Sequence, residues 1–493
     1  MNNKEKEALH LAGEEQFEFP TDGGKVVVKL TDEVLTPFGG MVPFAAFLKN
    51  TGILEQLVDS CPLVRTSPNA SKVRDVVTSF LITALCEGKR FSHVHRFRED
   101  PIIAQLFGLN KVVSDDTIRR FLRSVPEDRA QRWIEEVLRP LWGAIPDHFI
   151  LDWDSTVLVR YGDQEGAVLG YNPEKRGRKS HHPLLAVVAG TRMCLGYRWR
   201  PGNAVSATEW KEAMESVLDT LGSRRPWLNR ADMGFSSEEI MAWHENRVDA
   251  PKYLFKLKIT SNVRRAFAKL SEKDWHGPAN QGVMQVAQTK VKLHGWSKER
   301  RVIMARRALG SSQCLASDPM LWKEVAYEFE AYVTNLEEHE ASDWQIIDLY
   351  RKRADTENVF DELKNQWGFC GFSSRYKQVT ELSAKLMILT YNLWNLFLRL
   401  LKPEKHFEAI STRKWFLLIA ARLVKSGRQK TLQIAVTQSW WEELKLGFQR
   451  LCDWIKATAP QLKIQNQKIA DFSGMKQKSQ PFTHQSLCPN CDF

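Results

Sequence analysis

Residues 148–154 read His148-Phe149-Ile150-Leu151-Asp152-Trp153-Asp154, a short apolar run that closes on acids. A run this short, bounded by Pro146 and by Ser155-Thr156, is a buried strand and not a helix. Side chains alternate along a strand, so Asp152 and Asp154 share one side, opposite Leu151 and Trp153. Acids at the end of a strand in an apolar sheet are costly to bury unless their charge is compensated. A second segment repeats the pattern. Trp227–Asp232 ends in Asp232, ahead of Met233-Gly234-Phe235. Between the two, Leu184–Ala189 and Cys194–Arg200 read as strands and Thr208–Leu221 as an amphipathic helix opened by Ser206 or Thr208. Ser236–Arg247 reads as a further helix. Strands followed by helix and strand predict an α/β sheet.

Outward from that core the chain divides by texture. Residues 1–45 form a partly disordered lead-in with one strand at Lys25–Leu30. Residues 46–145 are helical, with Val73–Cys86 apolar at helical spacing and Pro101 opening a new helix. Ser114 caps the stretch that begins Asp115-Asp116, and the helix presents Arg119, Arg120 and Arg123. It is a candidate recognition helix of a DNA-binding domain; the alternative is an amphipathic helix with a solvated basic face. Residues 146–250 are the first α/β part. Residues 251–335 read as a β-rich block, and Pro251–Gly310 holds 14 basic residues against three acids, a net of +11. That density makes it a candidate nucleic-acid face. Residues 336–402 return to helix, with Gln345–Gly368 as one helix and Thr380–Leu401 as another. Residues 403–473 carry helices at Glu408–Lys425 and Leu432–Ala457, and 474–493 form a polar, disordered tail.

Composition excludes several classes. The 493 residues are 43% apolar and 26% charged, which is a globular balance. Lys plus Arg is 70 and Asp plus Glu is 59, and a basic protein of this size commonly meets a polyanion. The acidic start of the chain is neither a signal nor a transit peptide. Leu386–Leu401 is broken by Asn392, Asn395 and Arg399, so it reads as a buried core helix and not a membrane span. Eight scattered cysteines suit a reducing cytoplasm. Cys488 and Cys491 form a C-x2-C pair near His484 without an obvious fourth zinc ligand.

The chemistry gathers around Glu357. On one continuous helix Tyr350, Arg353, Glu357 and Lys364 fall within roughly 60° of one another, a stripe that is not a core face. Such a stripe suits a phosphate backbone held beside an acid. Carboxylates from three separate segments suit a hard divalent cation, and two such ions can drive phosphodiester transfer. Asp152 competes with Asp154 for the first position, where the following Ser155-Thr156 favours Asp154. Asp361 and Glu362 compete with Glu357, but neither completes the stripe. Lys175, Arg176, Arg178 and Lys179 form a basic loop, either a phosphate clamp or a solvated turn. Trp296 is a core or turn residue with a lesser prospect of stacking on a flipped base, and His181 and His182 are structural or phosphate-facing.

The spacing Tyr-x2-Arg-x3-Glu-x6-Lys at Tyr350, Arg353, Glu357 and Lys364 resembles the signature of DDE transposases of bacterial insertion sequences, the insertion-sequence-four type. Asp154-Ser155-Thr156 and Arg230-Ala231-Asp232-Met233-Gly234-Phe235 resemble that family's two aspartate blocks. Gly170-Tyr171-Asn172-Pro173 with the basic loop resembles its segment between the first strands, and Phe91–Val125 its N-terminal DNA-binding region. The resemblance covers about residues 45–400. It implies an RNase H-like mixed sheet flanked by helices, a β-rich insertion within the 125-residue interval from Asp232 to Glu357, and helical N- and C-terminal regions. It implies that Asp154, Asp232 and Glu357 are catalytic and hold two Mg²⁺ or Mn²⁺, while Tyr350, Arg353 and Lys364 grip phosphates. The partners would be double-stranded DNA, as element terminal inverted repeats and as target, with a homodimer on paired ends. Hydrolytic nicking would precede 3′-hydroxyl strand transfer, in a cytoplasmic protein that meets the nucleoid through DNA. The rival expectations are an RNase H-like nuclease without strand transfer and a transposase-derived DNA-binding protein without catalysis.

Overall fold

The computed structural model describes residues 16–63, 67, 69–172, 175–277, 284–308 and 327–457. His148–Asp154 delivers the strand Ile150–Ser155 (β1), whose first four residues are buried. The chain then meanders through Leu184–Val188 (β2) and Cys194–Arg198 (β3), each antiparallel to the one before. Helix Trp210–Leu221 (α1) carries it back to Leu228–Ala231 (β4), on the other side of β1 and parallel to it. Helix Glu238–Asn246 (α2) makes a second crossover to Lys252–Leu257 (β5), parallel to β4. Helices belong in these connections because parallel neighbours need a long crossover.

The strands read from sequence as a basic insertion are hydrogen-bonded into this same sheet. Gln285–Val291 (β6), Arg300–Ala308 (β7) and Tyr327–Thr334 (β8) give the order β6-β7-β8-β5-β4-β1-β2-β3. The charge count of the stretch overstates its free positive face. Arg300 is buried between Glu238 and Glu245, Arg301 is paired with Asp343, and Arg306 with Glu272. Lys252, Lys256 and Lys298 are also in ion pairs. Trp296 is buried beneath the Arg300 guanidinium, 5.1 Å from its ring centroid, so its ring is engaged in packing.

Three helix expectations are corrected. The stretch Gln345–Gly368 is two helices, Asp343–Arg351 (α3) and Ala354–Gln366 (α4), broken at Lys352-Arg353. In an unbroken helix the Arg353 N–H would bond to the Leu349 carbonyl. Here that carbonyl accepts from Arg230 Nη1, and the Arg353 N–H turns instead to Tyr350 O at 2.9 Å. The second correction lies in 408–425 and 432–457. Helix stops at Phe416, and Ala421–Ser426 and Gln429–Ile434 form a hairpin before helix resumes at Gln438–Lys456. Gly427, at φ 57°, supplies the left-handed turn, and β-branched Val424, Thr431 and Ile434 favour the pleat. The hairpin gains a third strand at Leu35–Thr36. Third, the helix expected after Pro101 is a single turn, Ile103–Leu106.

Helix Lys377–Leu401 (α5) is buried along almost its whole length, as its apolar run requires. It packs on the N-terminal helices Val73–Leu85 and Asp115–Ser124. One continuous apolar cluster runs from Met41 in the N-terminal helices, through Trp153 on β1, to Leu451 near the C-terminal end. Among the described residues no helix is long and apolar enough to cross a membrane. His484, Cys488 and Cys491 lie outside the described residues.

Candidate active site

The register of β1 and β4 determines where the two aspartates lie. Arg230 pairs with Asp152 and Ala231 with Trp153, so the next residues, Asp232 and Asp154, come at the same level of adjacent parallel strands. From β1 the chain turns to β2 on one side, while β4 arrives on the other. The carboxyl ends of two strands whose connections part in this way form the crevice where open α/β sheets bind ligands. Each aspartate is steadied by a backbone N–H. Asp154 Oδ1 accepts from Ser155 at 2.8 Å, and Asp232 Oδ1 accepts from Gly234 at 2.9 Å as the cap of a short turn.

Asp152 and Asp154 differ in their partners. Asp152 is wholly buried, with Arg230 Nε at 2.6 Å, Arg230 Nη2 at 2.7 Å and Thr356 Oγ1 at 3.0 Å. Its charge is compensated, and both of its oxygens accept hydrogen bonds. Beside the Ser155 N–H, Asp154 has among the described residues the Arg353 guanidinium, 3.5 Å from Oδ2. Burial pushes the Asp154 carboxyl up to about 6; Arg353 draws it down, and the charges of Asp232 and Glu357 raise it.

The third acid arrives on α4, whose first turn is braced three ways. Thr356 bonds to Asp152, Arg192 Nε bonds to Asp355 at 2.9 Å, and Arg353 reaches Asp154. Glu357 is exposed, and its Oε1 lies 3.9 Å from Arg353 Nη1. Its competitors are placed otherwise. Glu362 is buried against His406, the Ala409 N–H and Trp367, and Asp361 is exposed beside Asn365. Arg353 is buried between Asp154 and Glu357. Burial opposes its charge, while Asp154, Tyr350 and Asp232 sustain it. The Tyr350 hydroxyl is pushed up to about 12 by burial and by Asp232 and Asp154, against the pull of Arg353.

Tyr350, Arg353 and Glu357 therefore gather with Asp154 and Asp232, although the helix beneath them is broken. Lys364 does not join them directly. It is half-buried two turns further along α4, about 10 Å beyond Glu357. Lys175, Arg176, Arg178 and Lys179 are exposed, on the excursion between β1 and β2. Lys175 bonds to the Tyr161 hydroxyl at 2.5 Å, Arg178 lies over the Tyr161 ring, and Lys179 pairs with Asp163. Arg119 is paired with Asp115 and Asp116, Arg120 bonds to the Asp116 carbonyl, and Arg123 lies 3.8 Å from the centre of the Tyr376 ring. Ser114 caps that helix as expected, accepting from the Thr117 N–H.

Sequence reasoning missed Arg230, Arg192 and Thr356. Arg230 had a legible signal, because an arginine two residues before a strand-end acid shares that acid's face and needs a buried partner. Arg192 and Thr356 had none, since their partners lie 163 and 204 residues away.

The donor set suits a hard divalent cation by its chemistry: carboxylate oxygens, like charges crowded together, and a raised Asp154 carboxyl that a cation would relieve. Among the described residues no three His, Cys, Asp or Glu side chains already close on a common point. Glu357 faces Arg353 and solvent, so the fit is one of chemistry and placement and not of a finished cage.

No curated protein matches the sequence. Among solved structures the chain is similar to the piggyBac transposase in its cryo-EM synaptic complex with hairpin DNA, at 11% identity and a TM-score of 0.41, over 92% of this chain and 90% of that one. The family model described as "Transposase DDE domain group 1" matches residues 19–454, nearly the whole length, and the chain belongs to that DDE transposase family.

Proposed function

We propose that this chain is the transposase of an insertion sequence, of the insertion-sequence-four type, with the Tyr-Arg-Glu-Lys signature at Tyr350, Arg353, Glu357 and Lys364. The mixed sheet serves as its RNase H-like catalytic platform. Asp154, Asp232 and Glu357 are the catalytic acids. DDE transposases use divalent cations, and here these three carboxylates would hold Mg²⁺ or Mn²⁺, as two ions. When bound, the ions activate the attacking oxygen and stabilise the leaving oxygen of a phosphodiester. The observation that carries the reading is the arrival of Asp154 and Asp232 at one level of adjacent parallel strands, with Arg353 spanning from Asp154 to Glu357.

The other roles follow from position. Tyr350 and Arg353 border the acids and present a hydroxyl and a guanidinium to phosphate. Lys364 extends that line along α4. The exposed loop of Lys175, Arg176, Arg178 and Lys179 is a clamp on the DNA backbone. The N-terminal helices through residue 145 bind element ends, with Arg119, Arg120 and Arg123 on the recognition helix. The protein works in the cytoplasm as a dimer, because two ends must be brought together. It cuts at the terminal inverted repeats and joins the freed 3′-hydroxyl to target DNA.

The test is strand cleavage on DNA carrying the ends that flank the gene, with Mg²⁺, with EDTA, and with Glu357→Gln. Metal-dependent nicking that the substitution abolishes is the expected result, followed by joined product. Nicking without joined product would make the protein a nuclease. Binding without cleavage in either metal would leave a DNA-binding protein that has lost catalysis.

A further inference from the structure

Beside the site, a set of contacts converges on one side chain that the catalytic reading does not use. Arg200 follows β3 and is wholly buried. Its Nε donates to the His182 carbonyl at 2.9 Å. Its Nη1 reaches three carbonyls, of Val205 at 3.1 Å, Ser206 at 3.0 Å and Thr208 at 2.6 Å. Its Nη2 is buried without a hydrogen-bond partner among the described residues. An arginine buried without a carboxylate bonded to it is costly, and burial lowers its pKa to about 10. What the guanidinium does in return is close the loop from Pro201 to Glu209 around itself. That loop ends at Glu209 in a left-handed conformation, φ 57°.

The loop presents Ser206 to the site from between the two aspartates. Ser206 Oγ is 3.4 Å from Ser155 Oγ. On its other side it presses on Gly234, where a Cβ would stand 2.5 Å from Ser206 Oγ and 2.7 Å from its Cβ. Ser155 and Gly234 are the residues whose N–H groups hold Asp154 and Asp232. Ser206 is thus a spacer between the two turns that carry the carboxylates, and Gly234 is glycine because the spacer leaves no room for a methyl group.

We propose that Arg200 is a positioning residue. It locks Ser206 in place, and Ser206 sets the separation of the Asp154 and Asp232 turns at which a divalent cation is accepted. This rests on the reading of those aspartates as cation ligands. Supporting groups around a metal site commonly change its affinity by about 10–100-fold when altered.

The experiment is titration calorimetry of the full chain with Mn²⁺ alone, beside metal-free duplex binding. Arg200→Lys keeps a cation but cannot serve all four carbonyls, and it should weaken Mn²⁺ by about 10–100-fold with duplex affinity unchanged. Gly234→Ala should do the same by pushing Ser206 aside. Ser206→Gly removes the spacer itself and should weaken Mn²⁺ by the same factor. If Arg200→Lys fails to fold, the Gly234 and Ser206 variants decide. Wild-type Mn²⁺ affinity in Arg200→Lys or in Ser206→Gly overturns the spacer role alone. A wild-type chain that binds no Mn²⁺ overturns the cation reading and the spacer with it.

Discussion

Two carboxylates on one face of β1, two residues apart, live in opposite environments. Inside the sheet, Asp152 is met by two guanidinium nitrogens and a hydroxyl, and it ties β1, β4 and α4 together. At the mouth of the sheet, Asp154 has one loose cationic partner at 3.5 Å and two like charges nearby. The difference teaches how a fold separates structure from chemistry. The interior pair is satisfied, so it holds elements in place. The strand-end acid is under-compensated, which is why it is the one proposed as a cation ligand.

The comparison is broken most severely from the interior side. Asp152→Asn leaves Arg230 buried and short of its counter-charge, and should destabilise the chain by about 3–5 kcal/mol in urea unfolding. Wild-type stability would show that Arg230 does not depend on that carboxylate. Asp154→Asn should act in the reverse sense, lowering strand cleavage by at least about two orders of magnitude while the fold persists. It should also stabilise. The folded carboxyl is raised to about 6 from an ordinary 3.8, so the folded state holds the proton more tightly, and ionisation costs stability as pH rises between those values. The variant should therefore gain up to about 3 kcal/mol at pH 7, with the gain vanishing below about pH 4. Thermal melts of both proteins across pH read the sign directly.

The same property can be sharpened in the wild-type chain. At limiting Mg²⁺, cleavage should climb about tenfold per pH unit below pH 6 and level above it, because proton and cation compete for Asp154. A flat profile from pH 5 to 7 would remove Asp154 from the cation site. Thr356→Val deletes one bond to Asp152 and should cost about 1–2 kcal/mol. The smallest effect belongs to the surface. Arg119→Ala should change stability by no more than about 0.5 kcal/mol, since its side chain is more than a third exposed, while lowering the salt slope of end binding by about one. An unchanged slope would take Arg119 out of the DNA interface.

Much of the candidate site was legible because its parts are local. Alternation placed Asp152 and Asp154 on one face, and the strand-end position singled out Asp232. The spacing of Tyr350, Arg353 and Glu357 brought them together even though the helix is broken, because a one-turn distortion leaves residues three and four apart as neighbours. The break itself was not legible. It comes from Arg230, which takes the Leu349 carbonyl across 119 residues of chain. The C-terminal hairpin was missed for a related reason. Its strand-like residues were read in a window of helical periodicity, and its third strand lies at Leu35–Thr36, far away in sequence.

What the sequence by itself determined was the set of candidate acids, the face each occupies and the family, because covalent geometry and short-range spacing carry that information. What only the tertiary structure decided was which acid is already neutralised, which helix is unhooked, and which of fourteen basic residues beyond β4 are already in ion pairs. The physical reason is common to all three. The energy of a buried charge depends on the partner beside it, and strand pairing brings that partner from far along the chain.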